Sequence, residues 1–135
     1  MSQENVALAR TSIDLFNHRD LSALAELSQE DFEFVSVLTA VDAGGATYRG
    51  SQAWTSYFAA MDETWEEWRV EDSEVFDAGD DGVAAVFRIV GKGKHSGVPV
   101  EHAIGVAYRI RQGKLWRMRA YLDPREALEA VGLAG

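Results

Sequence analysis

The run VEHAIGVAYRI, residues 100–110, is the part of this sequence from which the fold can be read. Alternation puts Val100, His102, Ile104, Val106 and Tyr108 on one side of a strand, and Glu101, Ala103, Gly105, Ala107 and Arg109 on the other. Both sides are mostly apolar or small, so neither is built to face water. Such a strand needs a cover on each side, which points to helices against one face and a second subunit against the other. The expectation is a cavity and a dimer, and the run by itself names no reaction.

Working outward, the flanking segments fit an antiparallel meander. Alternating apolar stretches at 67–76, 83–90, 99–110 and 115–122 are separated by turn-rich clusters at 78–82, 91–97 and 112–113. The first 64 residues read differently. Val6, Ala9, Ile13 and Phe16 recur at helical spacing after a cap at Ser2, with an end near Asn17 or His18. Asp20 caps a short second helix that buries Leu21, Leu24 and Leu27. Alternation of Phe32, Phe34, Ser36 and Leu38 with Glu33, Val35 and Val37 gives the first strand, followed by a loop at Ala43-Gly44-Gly45-Ala46. Gly50-Ser51 opens a third helix carrying Trp54, Tyr57, Phe58 and Met61. Asp123-Pro124-Arg125-Glu126 starts a last helix, with an acidic cap and proline at its first position, and Gly132 closes it.

Composition narrows the function classes. A chain of 135 residues predicts one domain, residues 1–135, with a core large enough to stand without staples. Acidic side chains outnumber basic ones by 22 to 13, a net charge of -9 that disfavours nucleic acid and anionic membranes as partners. There is no cysteine, so thiolate metal sites, thiol nucleophiles and disulfides are excluded. The three histidines at 18, 95 and 102 lack ligand spacing, which predicts no metal and no cofactor. No apolar run spans a membrane and the N-terminus has no leader pattern, so a soluble cytoplasmic protein is expected.

The order of elements, together with the phrases LFNHRDLSALAEL (15–27), YRGSQAW (48–54), SGVPVEHAI (96–104), RQGKLWRMRAYLD (111–123) and REALEAVGL (125–133), resembles the SnoaL-like group of the nuclear-transport-factor-2-like superfamily. That resemblance implies an α+β fold in which a curved antiparallel sheet wraps around the N-terminal helices as a cone with an internal cavity. It also implies a homodimer through the outer sheet face. Fold alone does not choose among the activities of such proteins.

The chemistry of better-known members does not carry over residue by residue. The tyrosine, protonated aspartate and catalytic aspartate of ketosteroid isomerases fall on Ser12, Val106 and Ser36. For limonene epoxide hydrolases the resemblance gives Arg88 for the arginine, Val90 and Ala120 for the aspartates, and Phe34 and Ser36 for the water-holding pair. Polyketide cyclases of the group use a histidine and an aspartate on late strands, and here the matching positions offer His102 with Ala120 and Leu122.

The expected cavity is lined by Phe34, Ser36, Trp54, Phe58, Val86, Val90, Ile104, Val106, Trp116, Met118, Ala120 and Leu122, with Arg88 and His102 as its charged or titratable groups. A greasy aromatic lining with few polar groups suits a small apolar or aromatic metabolite. The alternatives are an isomerase, polyketide-cyclase or hydratase in which His102 and Arg88 act catalytically, and a non-catalytic structural dimer module. A plainer assignment gives Arg88 an acid partner such as Glu66, Glu67 or Asp72, and makes His102 a core imidazole hydrogen-bonded to a backbone group or a tyrosine. The opposite face is expected to present Val83, Ala85, Phe87 and Ile89 beside Ala103, Gly105 and Ala107, with Arg109, Arg117, Arg119 and Tyr121 available to acids across a two-fold axis.

Overall fold

Helix α1 (Ser2–His18) lays the stripe Ala9, Ile13 and Phe16 onto the hydrophobic core. It stops where Arg19 takes a left-handed backbone (φ 57), and the Arg19 and Asp20 amides bond back to the Phe16 and Leu15 carbonyls. Asp20 then caps α2 (Leu21–Glu26) by accepting the Ala23 N–H at 3.1 Å, as its sequence position predicts. The chain enters β1 (Ser28–Ser36), resumes at β2 (Ala46–Arg49), passes a single 3-10 turn at Gly50–Gln52 and forms α3 (Ala53–Thr64). Four long strands follow, β3 (Trp65–Gly79), β4 (Gly82–Gly93), β5 (Pro99–Arg111) and β6 (Lys114–Tyr121), before α4 (Pro124–Ala130). This computed structural model describes residues 2–37 and 46–133. The expected continuation of β1 to Leu38 and the loop expected at Ala43-Gly44-Gly45 lie outside the described residues.

The strands form one six-stranded sheet in the order β2-β1-β6-β5-β4-β3. Neighbours are antiparallel except β1 and β6, which run parallel. The α+β cone is therefore present, with α1 and α3 on the concave side. Two details differ from the sequence reading. Four-residue β2 was not expected, because a strand so short shows no alternation, and β1 begins at Ser28 rather than Phe32.

Curvature comes from extra residues in the strands. β3 carries bulges around Glu67 and Asp72, both with left-handed φ of 54°, and β6 carries one at Trp116, where Arg109 and Ile110 face Arg117 and Leu115. Each bulge bends its strand and resets which side chains face inward.

The face of β4 is the main correction. In the register, Val83, Ala85, Phe87 and Ile89 stand opposite Tyr108, Val106, Ile104 and His102, so they share the concave face. Val86, Arg88 and Val90 point outward, the reverse of the expectation. The cause lies in α4. Its Asp123 cap turns the chain back across the convex face, where Ala127 packs so closely on Gly105 that a Cβ there would sit 2.7 Å from the alanine Cβ. Ala84 on the same face is fully buried. With both faces covered at this end, β4 is apolar on both parities, and alternation cannot say which side is in.

Candidate ligand pocket

The cone has two compartments. The deep one measures about 40 Å³ and is bounded by α1, α3 and the inner faces of β1, β3, β4, β5 and β6. Phe34, Trp54, Ile104, Val106, Met118 and Ala120 line it as expected, joined by Ser12, Ile13, Phe16, Tyr57, Val70, Phe87, Ile89 and Tyr108. The second compartment, at the mouth, measures about 170 Å³ and is lined by Val37, Met61, Trp65, Trp68, Ile89, Gly91, Val100, His102 and Leu122. His102 and Leu122 were foreseen there. Trp65 and Trp68 were missed because the bulge at Glu67 breaks the alternation that would have placed them, and Tyr108 and Val100 follow from the parity of β5.

Aromatic side chains fill the deep end. The Tyr57 ring lies between 4.8 and 6.3 Å from the rings of Phe16, Phe34, Tyr48, Trp54 and Phe58, mostly edge to face. Phe58 belongs to this packing and contacts Phe16, Trp54 and Trp68. The polar atoms inside are all occupied. Burial pushes the Tyr57 phenol far above its usual range, and a hydrogen bond with fully buried Ser36 offsets part of that shift. Burial likewise pushes Tyr108 up to about 12, against a hydrogen bond with Ser12. The Ser12 hydroxyl donates to the Ala9 carbonyl at 2.7 Å. Both phenols are neutral at physiological pH, and each is tied to a serine.

At the mouth, Trp68 is set from three sides. Its indole N–H donates to Asp62 at 3.1 Å, the Arg19 guanidinium lies 3.7 Å from the ring centroid, and Phe16 and Phe58 meet the ring at 5.1 Å. Gly91 makes room for it, since a Cβ there would come within 3.2 Å of the Trp68 Cβ. His102 sits on the exposed rim, and its Nδ1 is 2.6 Å from the Ala103 carbonyl. With Nδ1 donating, the neutral ring presents Nε2 as an acceptor.

Arg88 is not in the cavity. On the convex face it forms ion pairs with Glu71, Asp72 and Glu101, the Asp72 contact being 2.6 Å. Asp72, foremost through the hydrogen bonds it accepts from Arg88, and then Glu101 hold the guanidinium well above its usual range. The plainer assignment of an acid partner holds, with Asp72 among the acids named. Arg88 and His102 occupy opposite faces, so the structure does not bring that pair together. Trp116 is also outside. As the extra residue of the β6 bulge it is flanked by Arg111 and Arg117, at 4.5 and 4.4 Å from its ring, and its indole N–H points to Asp31.

The chemistry open to this interior is limited. No Asp, Glu, Lys or Arg among the described residues lines either compartment. Among the described residues no cluster of three or more His, Asp or Glu is placed to hold a metal ion, and no helix is long and apolar enough to cross a membrane. With β4 placed, the arginine position of the epoxide hydrolases points away from the cavity, and among the described residues the one titratable mouth group is His102.

Solved structures share this architecture. A candidate polyketide cyclase from Xanthomonas campestris is 19% identical over 97% of this chain and 98% of its own, with a TM-score of 0.77. An NTF2-like protein of unknown function from Burkholderia pseudomallei is 15% identical, covering 96% and 98%, at 0.78. A Catenulispora acidiphila protein with a ketosteroid isomerase-like fold, in complex with trimethylamine, is 21% identical over 93% and 92%, at 0.72. Among curated proteins none matches the chain. At these identities the likeness is one of fold, and sequence supplies the closer tie: the profile of the SnoaL-like domain matches residues 9–118, most of the chain, which belongs to the SnoaL-like family.

Proposed function

We propose that this protein binds a small, largely apolar metabolite at the mouth of its cone. The observation that carries the reading is the mouth compartment itself: about 170 Å³, walled by Trp65, Trp68, Met61 and Leu122, with His102 as the one titratable group among the described lining residues. The neighbour holding trimethylamine is a precedent for a small guest on this fold. Binding is tested by tryptophan fluorescence, because two of the four tryptophans face the guest. A panel of small aromatic and alicyclic compounds should give saturable changes in emission that Trp65→Phe diminishes. No saturable change with any compound overturns the proposal.

A second reading, favoured by the fixed His102 ring, adds turnover. Nε2 is free to accept a proton from a guest, the part a general base plays in an isomerase, cyclase or hydratase. Loss of turnover with retained binding in His102→Ala separates the enzyme from the binder. Equal loss of both, or no turnover in the parent protein, leaves the binder.

The pairing of two copies through the convex face belongs to the same proposal, now on the part that α4 leaves open. Arg109 stands opposite Arg117, with Arg119 along the same strand, around a groove of about 260 Å³. They bond to backbone carbonyls or lie over Tyr121, and no carboxylate of the described residues forms an ion pair with any of the three. Glu33 lines the same groove opposite Arg117 but pairs with Arg49. Three cations this close together in an acidic protein therefore still favour further carboxylates from outside, and Glu71, Asp72 and Glu101 share that face. Light scattering at micromolar concentration should give two chains, reduced to one by Arg119→Glu. A single chain in the parent protein sinks this part.

A further inference from the structure

We infer that the guest is a single uncharged ring, and that Ile89 is the residue that sets this limit. The inference rests on the mouth being a binding site and goes on to say what fits there. A dry cavity of about 150 Å³ lined by leucine, isoleucine and phenylalanine accommodates benzene, and the mouth compartment is of that order, about 170 Å³. The deep compartment, about 40 Å³, has no room for a second ring.

Among the described residues Ile89 is the one side chain that lines both spaces. It stands on the inner face of β4, opposite His102 on β5 and Val70 on β3. It is nearly buried, so its position is fixed by neighbours on both sides. A ring that enters past His102 and Leu122 and slides between Trp65 and Trp68 therefore stops against Ile89. Beyond it lie Ile104 and Phe87, already packed in the deep end. Removing the branched side chain of Ile89 joins the two spaces and lengthens the pocket along its axis.

The charge of the guest follows from the lining. Apart from His102 every described mouth residue is apolar, so a charged guest would lose its hydration with no carboxylate among them to replace it. The Trp68 ring also already carries the Arg19 guanidinium 3.7 Å from its centroid, which disfavours a second cation beside it. A hydroxyl or carbonyl that stays near the rim can meet His102. Tryptophan walls favour a flat ring over a branched one of the same volume.

The test uses probes alike except for one feature: benzyl alcohol, 2-naphthylmethanol with one more fused ring, and benzylamine with a positive charge at pH 7. Binding is measured by calorimetry and tryptophan emission on the whole chain, with Ile89→Ala and Ile89→Val beside the parent. The parent protein should bind benzyl alcohol at least tenfold more tightly than either other probe. Ile89→Ala should bring 2-naphthylmethanol to equality or better, with Ile89→Val between, while benzylamine stays weak in all three. Circular dichroism identifies a variant that has lost its fold, in which case the milder Ile89→Val decides by the direction of its ratio. Equal affinity of the parent for one and two rings, or a ratio unmoved in a folded Ile89 variant, overturns the inference and leaves the binding proposal standing. No binding of any probe to the parent overturns both.

Discussion

The deep end and the mouth of this cone are made from the same kinds of side chain, yet one is full and the other is not. In the deep end Tyr57 meets five other rings and the remaining space is about 40 Å³. At the mouth Trp65 and Trp68 line a space of about 170 Å³. Composition does not make this difference. α1 and α3 both press Phe16, Tyr57 and Phe58 into the deep end, whereas the mouth is framed by β3 on both sides of its bulge at Glu67 and by Gly91, against which Trp68 is seated. The pocket exists where backbone geometry keeps apolar groups from closing on each other.

That contrast can be broken by two truncations of apolar residues on the expected lining. Trp54, 4% exposed, stacks on Phe32 and donates its indole N–H to Ser28 at 3.0 Å. Trp54→Ala should cost about 3–5 kcal/mol, the range for deleting a large ring from a packed core. Leu122 at the mouth is 49% exposed, and Leu122→Ala should cost below about 1 kcal/mol, since little area is lost from water-excluded contact. Urea unfolding compares the two directly. Similar losses would mean that the mouth is packed as tightly as the interior and that the two ends do not differ.

A smaller effect is expected where the convex face is closed by the chain itself. In Gly105→Ala the new methyl would lie 2.7 Å from the Ala127 Cβ and 2.8 Å from the Pro124 Cα, so α4 has to move. Overpacking of this kind costs about 1–3 kcal/mol. It should also speed proteolysis within α4 without changing the tryptophan emission of the mouth. A stabilised Gly105→Ala protein would show that α4 is not seated on the sheet, and that the two faces are not covered independently.

How much of this was legible in the sequence depended on what lay on each side of a strand. β5 was readable because its inward parity holds Ile104, Val106 and Tyr108 while its outward parity ends in Arg109, so the placement of His102 on the cavity side followed. β4 was not, because Ala84 is buried under α4 while Val83 and Ala85 are buried in the cone, and alternation vanishes. A usable signal was still present: Arg88 belongs on the face where Glu101 already was, which is where the structure pairs them. Trp116 was misplaced for a different reason, since a single bulge residue turns an inward position into an outward one. The caps at Asp20 and Asp123 were read correctly because their chemistry is local and owes nothing to tertiary contacts.

The Asp123 cap gives the smallest and most specific test of how the convex face is held. Its carboxylate accepts the Arg125 N–H at 3.0 Å and pairs with the Arg125 guanidinium at 3.2 Å. The guanidinium first, and the backbone N–H after it, hold the carboxyl below the usual range. A group whose pKa is lowered on folding stabilises the fold fully above its unfolded value, about 3.9 for aspartate, and loses that contribution as pH falls through the lower folded value. Stability of the parent protein should therefore decline more steeply below about pH 4 than that of Asp123→Asn, which keeps a capping oxygen but does not titrate. The difference should vanish near neutral pH apart from a constant offset. Because the deep end holds its tyrosines neutral and tied to serines, acid should loosen α4 before it disturbs the cone, and the emission of Trp65 and Trp68 should stay constant across the same range. If that emission changes together with the Asp123-dependent loss, the two faces of the sheet unfold as one unit, and the division between a closed convex cover and an open mouth does not extend to their stability.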